Sequence, residues 1–244
     1  MVHSTNFALK SSLLFTIPNL ITAVNLFLGC INCSLIAMGY WEYSLWLFGG
    51  CLLADLLDGY IARKMDLSSD LGIQLDSLAD VISFGLAPGL IAFQLLATFD
   101  IPGLIYLGFL LPVAAAFRLA RFNLKLNSSS IHFQGLPVPA MAIFMAGLIP
   151  FGQKILFFQN LFTSSAIPMV ICIIFLSGCM ISTLPIIKFE PNYNWLKDHL
   201  LLSILMVLCL IGIALGYIPF LSLLIILYTL MSYLTLIKFS KKTI

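Results

Sequence analysis

The sequence predicts an all-α, polytopic transmembrane helix bundle of about eight spans, with both termini in the cytoplasm. The 244-residue chain is 61% hydrophobic and only 9% charged, with a mean hydropathy of +1.09, whereas about a quarter of the residues in a soluble domain are charged. Apolar runs long enough to cross a bilayer recur along the chain, and basic residues gather at alternate connections. Because a net charge of +2 leaves no basic stripe, nucleic acid is not an expected partner.

Each predicted span is an apolar run bounded by polar or turn residues. A helix crosses the bilayer core with about 20 predominantly apolar residues. Several runs begin near a proline, where the missing backbone N–H costs a helix little. The predicted spans are 17–40, 43–63, 76–96, 101–122, 137–153, 164–184, 198–215 and 218–238. Residues 1–16 precede the first span and are predicted to lie at the membrane interface.

The basic residues predict the orientation of the spans. If the N-terminus is inside, all 12 Lys and Arg residues except Lys154 fall on the inner side or at inner helix ends. Lys and Arg favour the cytoplasmic side of a membrane. Both termini and the connection between the second and third spans are therefore predicted to be cytoplasmic. With no evident cleavable signal, we expect a bacterial or archaeal cytoplasmic membrane.

The acidic residues are concentrated around that same connection. Six of the ten Asp and Glu residues fall between positions 55 and 80. Asp55 and Asp58 lie near the end of the second predicted span, and Asp76 and Asp80 lie at the start of the third. Because residues three or four apart share a helix face, two antiparallel helices can bring these four carboxylates together. An ionised Asp in a membrane costs roughly 2.5–3.5 kcal/mol, so a positive charge must offset the cluster.

Bound divalent cations would supply that charge. Carboxylate oxygens suit Mg²⁺ or Mn²⁺, with Ca²⁺ also possible, and four carboxylates can hold two ions. No His or Cys lies among the acids, which disfavours zinc. Gly59, Ala62 and Gly72 leave room for a ligand, although small residues also permit tight helix packing. Arg63 could bind a phosphate through two hydrogen bonds or anchor a helix end at the interface.

These residues form one extended motif. It resembles the signature of the CDP-alcohol phosphotransferase family at all eight positions, as Asp55-x2-Asp58-Gly59-x2-Ala62-Arg63-x8-Gly72-x3-Asp76-x3-Asp80. The resemblance implies a six-helix transmembrane core at 17–184, followed by two additional C-terminal spans and a cytoplasmic tail at 185–244. It also implies a homodimer.

The resemblance further implies roles for the acids. Asp55, Asp58 and Asp76 would bind metal ions, whereas Asp80 would bind one ion and also act as the general base. The CDP-linked lipid would be bound by Asn19, Thr22, Gly59, Ala62, Arg63, Ser69 and Gly72. Pro-Asn-x-x-Thr at 18–22 is similar to the family's opening segment, and a polar helix cap explains it nearly as well.

A second polar cluster ends the fourth predicted span. Arg118 and Arg121 share a helix face in Arg-Leu-Ala-Arg-Phe-Asn at 118–123, and Phe-Gln-Gly-Leu-Pro-Val-Pro-Ala follows at 133–140. Together the two segments resemble the phosphatidylserine synthase branch of the family. Because a pair of arginines suits a carboxylate, Arg118, Arg121 and Asn123 are predicted to bind the acceptor. Inositol phosphate and glycerol 3-phosphate remain open, since both would also attract arginines.

The resemblance implies an enzyme and a reaction. The reaction is metal-dependent transfer of the phosphatidyl group from CDP-diacylglycerol to L-serine at the cytoplasmic face, giving phosphatidylserine and CMP. A divalent-cation carrier is the alternative from another class, because clustered carboxylates also form transport sites. Carriers often have internal repeats and broken helices at the membrane midplane. This sequence shows no clear repeat, and its acids lie toward one side of the membrane.

Overall fold

The computed structural model describes residues 15–125, 133–149, 164–183, 185–186, 222 and 225–226. Within these residues the chain is helical apart from two short strands. The helices are α1 (Ile17–Ala37), α2 (Trp41–Lys64), α3 (Asp70–Asp80), α4 (Ala87–Ala97), α5 (Leu110–Lys125), α6 (Val138–Gly147) and α7 (Ile167–Ile181). A π-helical segment, Val81–Leu86, joins α3 to α4, and a 3₁₀ segment, Leu104–Phe109, leads into α5. β1 (Phe133–Gln134) pairs antiparallel with β2 (Pro185–Ile186).

Four helical stretches are long and apolar enough to cross a membrane. They are Ile17–Ala37, Tyr43–Lys64, Asp70–Ala97 and Leu104–Leu124. These stretches match the first four predicted spans, and the shorter apolar helices α6 and α7 lie within the fifth and sixth. The seventh and eighth predicted spans lie outside the described residues, apart from a few positions in the eighth, and so does residue range 1–14. A helical structure with four helices able to span a membrane is thus confirmed, and the total of eight spans stays a prediction.

The third span begins earlier than predicted. Its first helix starts at Asp70, because the Ser69 hydroxyl accepts a hydrogen bond from the Gly72 amide at 3.1 Å and caps the helix. The apolar run that sets the predicted start at 76 begins only after this polar first turn. Asp76 and Asp80 therefore lie in the second and third turns of α3, where the helix is already packed against α1.

The helix changes pitch directly after Asp80. Residues Val81–Leu86 are π-helical, and such turns within longer helices are frequent at functional sites. Within this segment the Ser83 hydroxyl donates to the Asn25 carbonyl at 3.1 Å, which ties α1 to the third span. Apolar periodicity does not predict this pitch change.

Close backbone contact brings the fourth span against the third. A Cβ added at Gly89 would lie 3.1 Å from the Gly108 carbonyl oxygen, and one at Gly108 would lie 2.8 Å from the Phe93 amide nitrogen. Neither position has room for a side chain, as is common where membrane helices approach closely. The buried core beside this contact includes Phe84, Ile91, Leu111, Met141, Met169 and Ile173. The packing places α5, with its two arginines, next to the acid-bearing helix.

Candidate functional site

Three acidic side chains from two helices converge. Asp55 comes from α2, and Asp76 and Asp80 come from α3; one carboxylate oxygen of each lies within 4.8 Å of those of the other two. These three residues are called the acid cluster below. One oxygen of Asp76 and one of Asp80 are buried and have no hydrogen-bond partner among the described residues. Buried polar atoms in proteins are nearly always paired. We therefore expect these two oxygens to bind a partner that lies outside the described residues.

The acid cluster fits a divalent cation. Its donors are all carboxylate oxygens, the ligands that Mg²⁺, Mn²⁺ and Ca²⁺ prefer. Three carboxylates this close repel one another, and a bound cation reverses the sign of that interaction. The unpaired oxygens of Asp76 and Asp80 are available for coordination without breaking any hydrogen bond among the described residues.

Asp58 is held differently from the other three acids. It is buried, at 4% exposure, and the Thr22 hydroxyl of α1 donates a hydrogen bond to its Oδ2. It does not belong to the group of three that lie within 4.8 Å. The structure therefore groups three of the four predicted metal ligands and fixes the fourth against α1, one helical turn along α2.

A cavity of about 190 Å³ lies beside Asp58 and Asp76. All seven residues predicted to bind the CDP-linked lipid line it, namely Asn19, Thr22, Gly59, Ala62, Arg63, Ser69 and Gly72. They come from the start of α1, the end of α2 and the start of α3, so three helix ends form its walls. The spacing motif and the Pro-Asn-x-x-Thr segment, which are far apart in sequence, meet in this cavity.

The two motif glycines in this cavity have different surroundings. A Cβ at Gly72 would lie 3.0 Å from Asn19 Oδ1 and 3.2 Å from Ser69 Oγ, so this glycine allows α3 to approach α1. The three atoms nearest to a Cβ at Gly59 would all belong to the Arg63 guanidinium, the first at 3.4 Å, which is an ordinary contact. The space at Gly59 therefore belongs to the cavity and is not required by helix packing.

Pro18, which opens the Pro-Asn-x-x-Thr segment, also lines the cavity. Three further lining residues were not predicted from the sequence, namely Leu67, Ser68 and Ile73. Ser68 could have been found from its place beside Ser69 in the polar connection between the second and third spans. Leu67 and Ile73 carry no signal that distinguishes them from other apolar residues of the chain.

Arg118 is a buried arginine with an unpaired donor. Its side chain is 7% exposed, and its Nε has no hydrogen-bond partner among the described residues. It lies close enough to Asp80 for the two charges to interact. Among the three predicted acceptor-binding residues, Arg118 is therefore the one that lies next to the acid cluster and has an N–H donor without a partner among the described residues.

Arg121, one helical turn further along α5, bonds to backbone carbonyls through both Nη atoms. Its Nη1 donates to the Ile181 carbonyl at 2.6 Å, and its Nη2 donates to the carbonyls of Met180 at 3.3 Å and Ser182 at 3.0 Å. These carbonyls end α7, where a helix leaves its last carbonyls without partners and favours positive charge. The Arg121 side chain therefore caps α7.

Asn123, the third predicted acceptor-binding residue, bonds to α3. Its Nδ2 donates to Ser77 Oγ at 2.9 Å and lies 3.5 Å from Gln74 Oε1. Since Ser77 follows Asp76 directly, this contact fixes the end of α5 against the acid-bearing helix. The three predicted residues thus have three different environments.

The Gly-Leu-Pro segment joins the same region as Arg121. Gly135 has φ +75°, and its backbone packs against the carbonyls of Met180 and Ser182. The next residue, Leu136, donates its amide to the Cys179 carbonyl at 3.0 Å. Arg121, Gly135, Leu136 and the end of α7 (179–182) are called the α7 junction below.

Another buried polar residue of α1 is absent from the predicted set. Asn25 of α1 is fully buried, and neither of its amide atoms has a partner among the described residues. Its position could have been found from the sequence, because it continues the three-residue spacing of Asn19 and Thr22 along one helix face.

Comparison with known proteins identifies a family and a set of relatives. The model of the CDP-alcohol phosphatidyltransferase family matches residues 15–183. A CDP-diacylglycerol–serine O-phosphatidyltransferase of Helicobacter pylori is 35% identical over 203 residues, which are 81% of each chain. Proteins of the same name from Saccharomyces cerevisiae and Methanocaldococcus jannaschii are 39% identical over 125 residues (47% of this chain, 43% of that one) and 37% over 134 residues (55% and 60%).

Proposed function

Because this chain belongs to the CDP-alcohol phosphatidyltransferase family, we propose that it transfers the phosphatidyl group of CDP-diacylglycerol to L-serine, giving phosphatidylserine and CMP. The chain is a transferase of the membrane, with four helices able to span it. One observation carries the proposal: the acid cluster adjoins a cavity lined by all seven residues of the predicted lipid site. The names of the relatives support serine as the acceptor.

The acid cluster would hold the metal ions. Asp55, Asp76 and Asp80 supply the grouped oxygens, and Asp58 completes the four ligands that the motif implies. We infer two ions, Mg²⁺ or Mn²⁺, with Ca²⁺ possible. When bound, they neutralise the diphosphate and stabilise CMP as the leaving group.

The cavity residues would bind and orient the CDP-linked lipid. Arg63 is exposed at the end of α2 beside Gly59, where its guanidinium can bind a phosphate oxygen pair. The hydroxyl of Ser69 and the open face at Gly59 lie in the same cavity. Thr22 holds Asp58 in place from α1. Positioning of this kind lowers the barrier because the reacting groups are already aligned.

Asp80 would take the acceptor's proton. The serine oxygen attacks the phosphatidyl phosphorus, the bond from that phosphorus to the CMP oxygen breaks, and the hydroxyl proton passes to the Asp80 carboxylate. Asp80 is only 6% exposed, which limits competition from water at the base. Arg118 lies near enough to interact with it, so the acceptor can be held by one residue and deprotonated by the other.

Arg118 would bind the serine carboxylate. A single carboxylate takes one guanidinium in a paired geometry, and Arg118 has an unused Nε beside the acid cluster. Arg121 and Asn123 would act on the acceptor indirectly, since their donors engage α7 and α3. This arrangement favours an acceptor with one carboxylate over inositol phosphate or glycerol 3-phosphate, whose dianionic phosphates would call for more cationic donors.

The finer topology belongs to the same proposal. We infer eight spans with both termini cytoplasmic, an active site facing the cytoplasm, and a homodimer in a bacterial or archaeal cytoplasmic membrane. The distribution of the 12 basic residues supports this orientation, and the motif resemblance supports the homodimer.

An acceptor panel tests the proposal. Purified protein with CDP-diacylglycerol and Mn²⁺ or Mg²⁺ is given L-serine, inositol phosphate or glycerol 3-phosphate, and CMP release is measured. We expect release with serine and none above background with the other two acceptors. Release that depends on a different acceptor would refute the serine assignment, and no metal-dependent release with any acceptor would refute the reaction.

A further inference from the structure

Asn25 carries two unexplained polar atoms in the middle of the bundle. Its side chain is fully buried, and neither Nδ2 nor Oδ1 has a hydrogen-bond partner among the described residues. Its backbone carbonyl, in contrast, accepts from Ser83 Oγ at 3.1 Å and lies 3.7 Å from Cys51 Sγ. A buried amide without partners is rare in native proteins and calls for a ligand, a water or a functional partner.

The contacts of α1 with α2 place Asn25 level with Asp55. The Thr22 hydroxyl donates to Asp58, and the Asn25 carbonyl lies beside Cys51. The two helices are therefore antiparallel. Three residues beyond Thr22 is Asn25, and three residues before Asp58 is Asp55. Because residues three apart share a helix face, Asn25 lies on the face of α1 that Thr22 presents to Asp58, one turn further on and at the level of Asp55.

The contacts of α1 with the third span place Asn25 level with Asp80. Gly72 packs against Asn19 and Ser83 bonds to the Asn25 carbonyl, so these two helices run in the same direction. A helix carbonyl points toward the C-terminal end of its helix, whereas side chains tilt toward the N-terminal end. Because the Asn25 carbonyl reaches Ser83, the Asn25 side chain lies nearer the N-terminal end of the third span, at the level of Asp80, which is three residues before Ser83.

We propose that Asn25 is a positioning residue for Asp80, donating a hydrogen bond from Nδ2 to the Asp80 carboxylate when cations are bound at the acid cluster. Asp80 has a buried Oδ1 without a partner among the described residues, so the bond joins an unused donor to an unused acceptor. It would fix which Asp80 oxygen faces the acceptor hydroxyl. The inference rests on the proposed function, because it assigns a helper to the proposed base.

A direct metal-ligand role for Asn25 is the competing reading. Amide oxygens do bind hard cations, so Oδ1 could complete a coordination sphere. The two roles make opposite demands on the side chain: a donor needs the N–H₂ group, whereas a ligand needs only the oxygen. Asn25→Asp keeps the shape and the oxygen and removes the donor, so it separates them.

Asn32 is a matched control on the same helix. It is also fully buried, and both of its amide atoms lack partners among the described residues. It lies seven residues further along the same face of α1, about 10 Å deeper in the bundle. Asn32→Leu therefore removes the same chemistry from the same kind of environment, away from the acid cluster.

The experiment compares Asn25→Leu with Asn32→Leu in the full chain. Mn²⁺ affinity is measured by electron paramagnetic resonance of the free ion, CMP release at saturating Mn²⁺ is measured with CDP-diacylglycerol and serine, and thermal unfolding reports folding. Loss of a residue that orients a metal ligand costs roughly 10- to 100-fold in metal affinity or activity. We expect a loss of that size in Asn25→Leu and neither loss in Asn32→Leu.

Each outcome bears on the inference. Equal losses in the two leucine variants, or none in Asn25→Leu, would overturn it, as would Asn25→Asp with normal CMP release. Asn25→Ala replaces the leucine variant in the same assays if that variant does not fold. A wild-type protein that binds no Mn²⁺ would instead overturn the proposed function, so the two failures are distinguishable.

Discussion

The acid cluster and the α7 junction are both polar regions within an apolar bundle, but they differ in how their polar groups are paired. At the junction, Arg121 donates to three carbonyls and Leu136 donates to a fourth. At the acid cluster, one oxygen each of Asp76 and Asp80 has no partner among the described residues, and neither does the Nε of the adjoining Arg118. An unpaired buried polar group costs about 1–3 kcal/mol. The junction therefore stabilises the fold, and the acid cluster depends on its ligands.

Removing divalent cations should have the largest effect on activity, and this effect should be confined to the acid cluster. Without cations the acids repel one another and the diphosphate meets no positive charge at the cluster, so a chelator should abolish CMP release. Added Mn²⁺ or Mg²⁺ should restore it. The α7 junction needs no ion, so circular dichroism of the chelated protein should keep its helical signal. Full turnover after exhaustive chelation would contradict the distinction between the regions.

Asp80→Asn should abolish turnover while leaving the bundle intact. A general base contributes roughly 10²- to 10⁴-fold to rate, and the asparagine keeps the shape of the side chain without its basic oxygen. We expect CMP release to fall by that order while CDP-diacylglycerol still binds, as measured by nucleotide displacement. Wild-type turnover in this variant would remove Asp80 from the role of base.

Substituting the two arginines separately tests the comparison between regions directly. A hydrogen bond to a charged group is worth about 1.5–3 kcal/mol, so Arg118→Ala should raise the KM for serine by roughly 10- to 100-fold. Arg121→Ala should instead lower the unfolding temperature and change the KM for serine less. The KM for serine and the unfolding temperature, measured for both variants, show which arginine binds the acceptor and which stabilises the fold. A larger KM effect from Arg121→Ala would mean that the junction, and not Arg118, holds the acceptor.

Two glycines give the smallest expected effect and refine the description of the junction. Gly135 and Gly103 both have positive φ, at +75° and +80°, where a side chain costs roughly 1–2 kcal/mol. A Cβ at Gly135 would also press on the carbonyls that end α7, whereas nothing lies within 4 Å at Gly103. Gly135→Ala should therefore lower the unfolding temperature more than Gly103→Ala. Equal shifts would show that the junction tolerates a methyl group there.

Sequence reasoning predicted the acid side of the molecule better than the arginine side. Helical spacing alone aligns Asp55 with Asp58 and Asp76 with Asp80, and the short connection between their helices brings Asp55, Asp76 and Asp80 together. The surroundings of Arg121 depend on where α7 ends, about 60 residues later in the chain, and spacing within α5 carries no information about that. The cap at Ser69 could have been predicted, because a serine before a polar first turn is a helix-start signal.

The π-helical turn after Asp80 has a consequence for how this chain tolerates change. A π-turn closes over five residues where an α-turn closes over four, so it absorbs one extra residue within the segment. Losing one residue between Val81 and Leu86 would therefore restore regular pitch and leave α3 and α4 in nearly the same rotational phase, with the carboxylates of α3 still facing α2. The change would fall on the segment itself, where the hydrogen bond from Ser83 to the Asn25 carbonyl depends on the local widening of the helix.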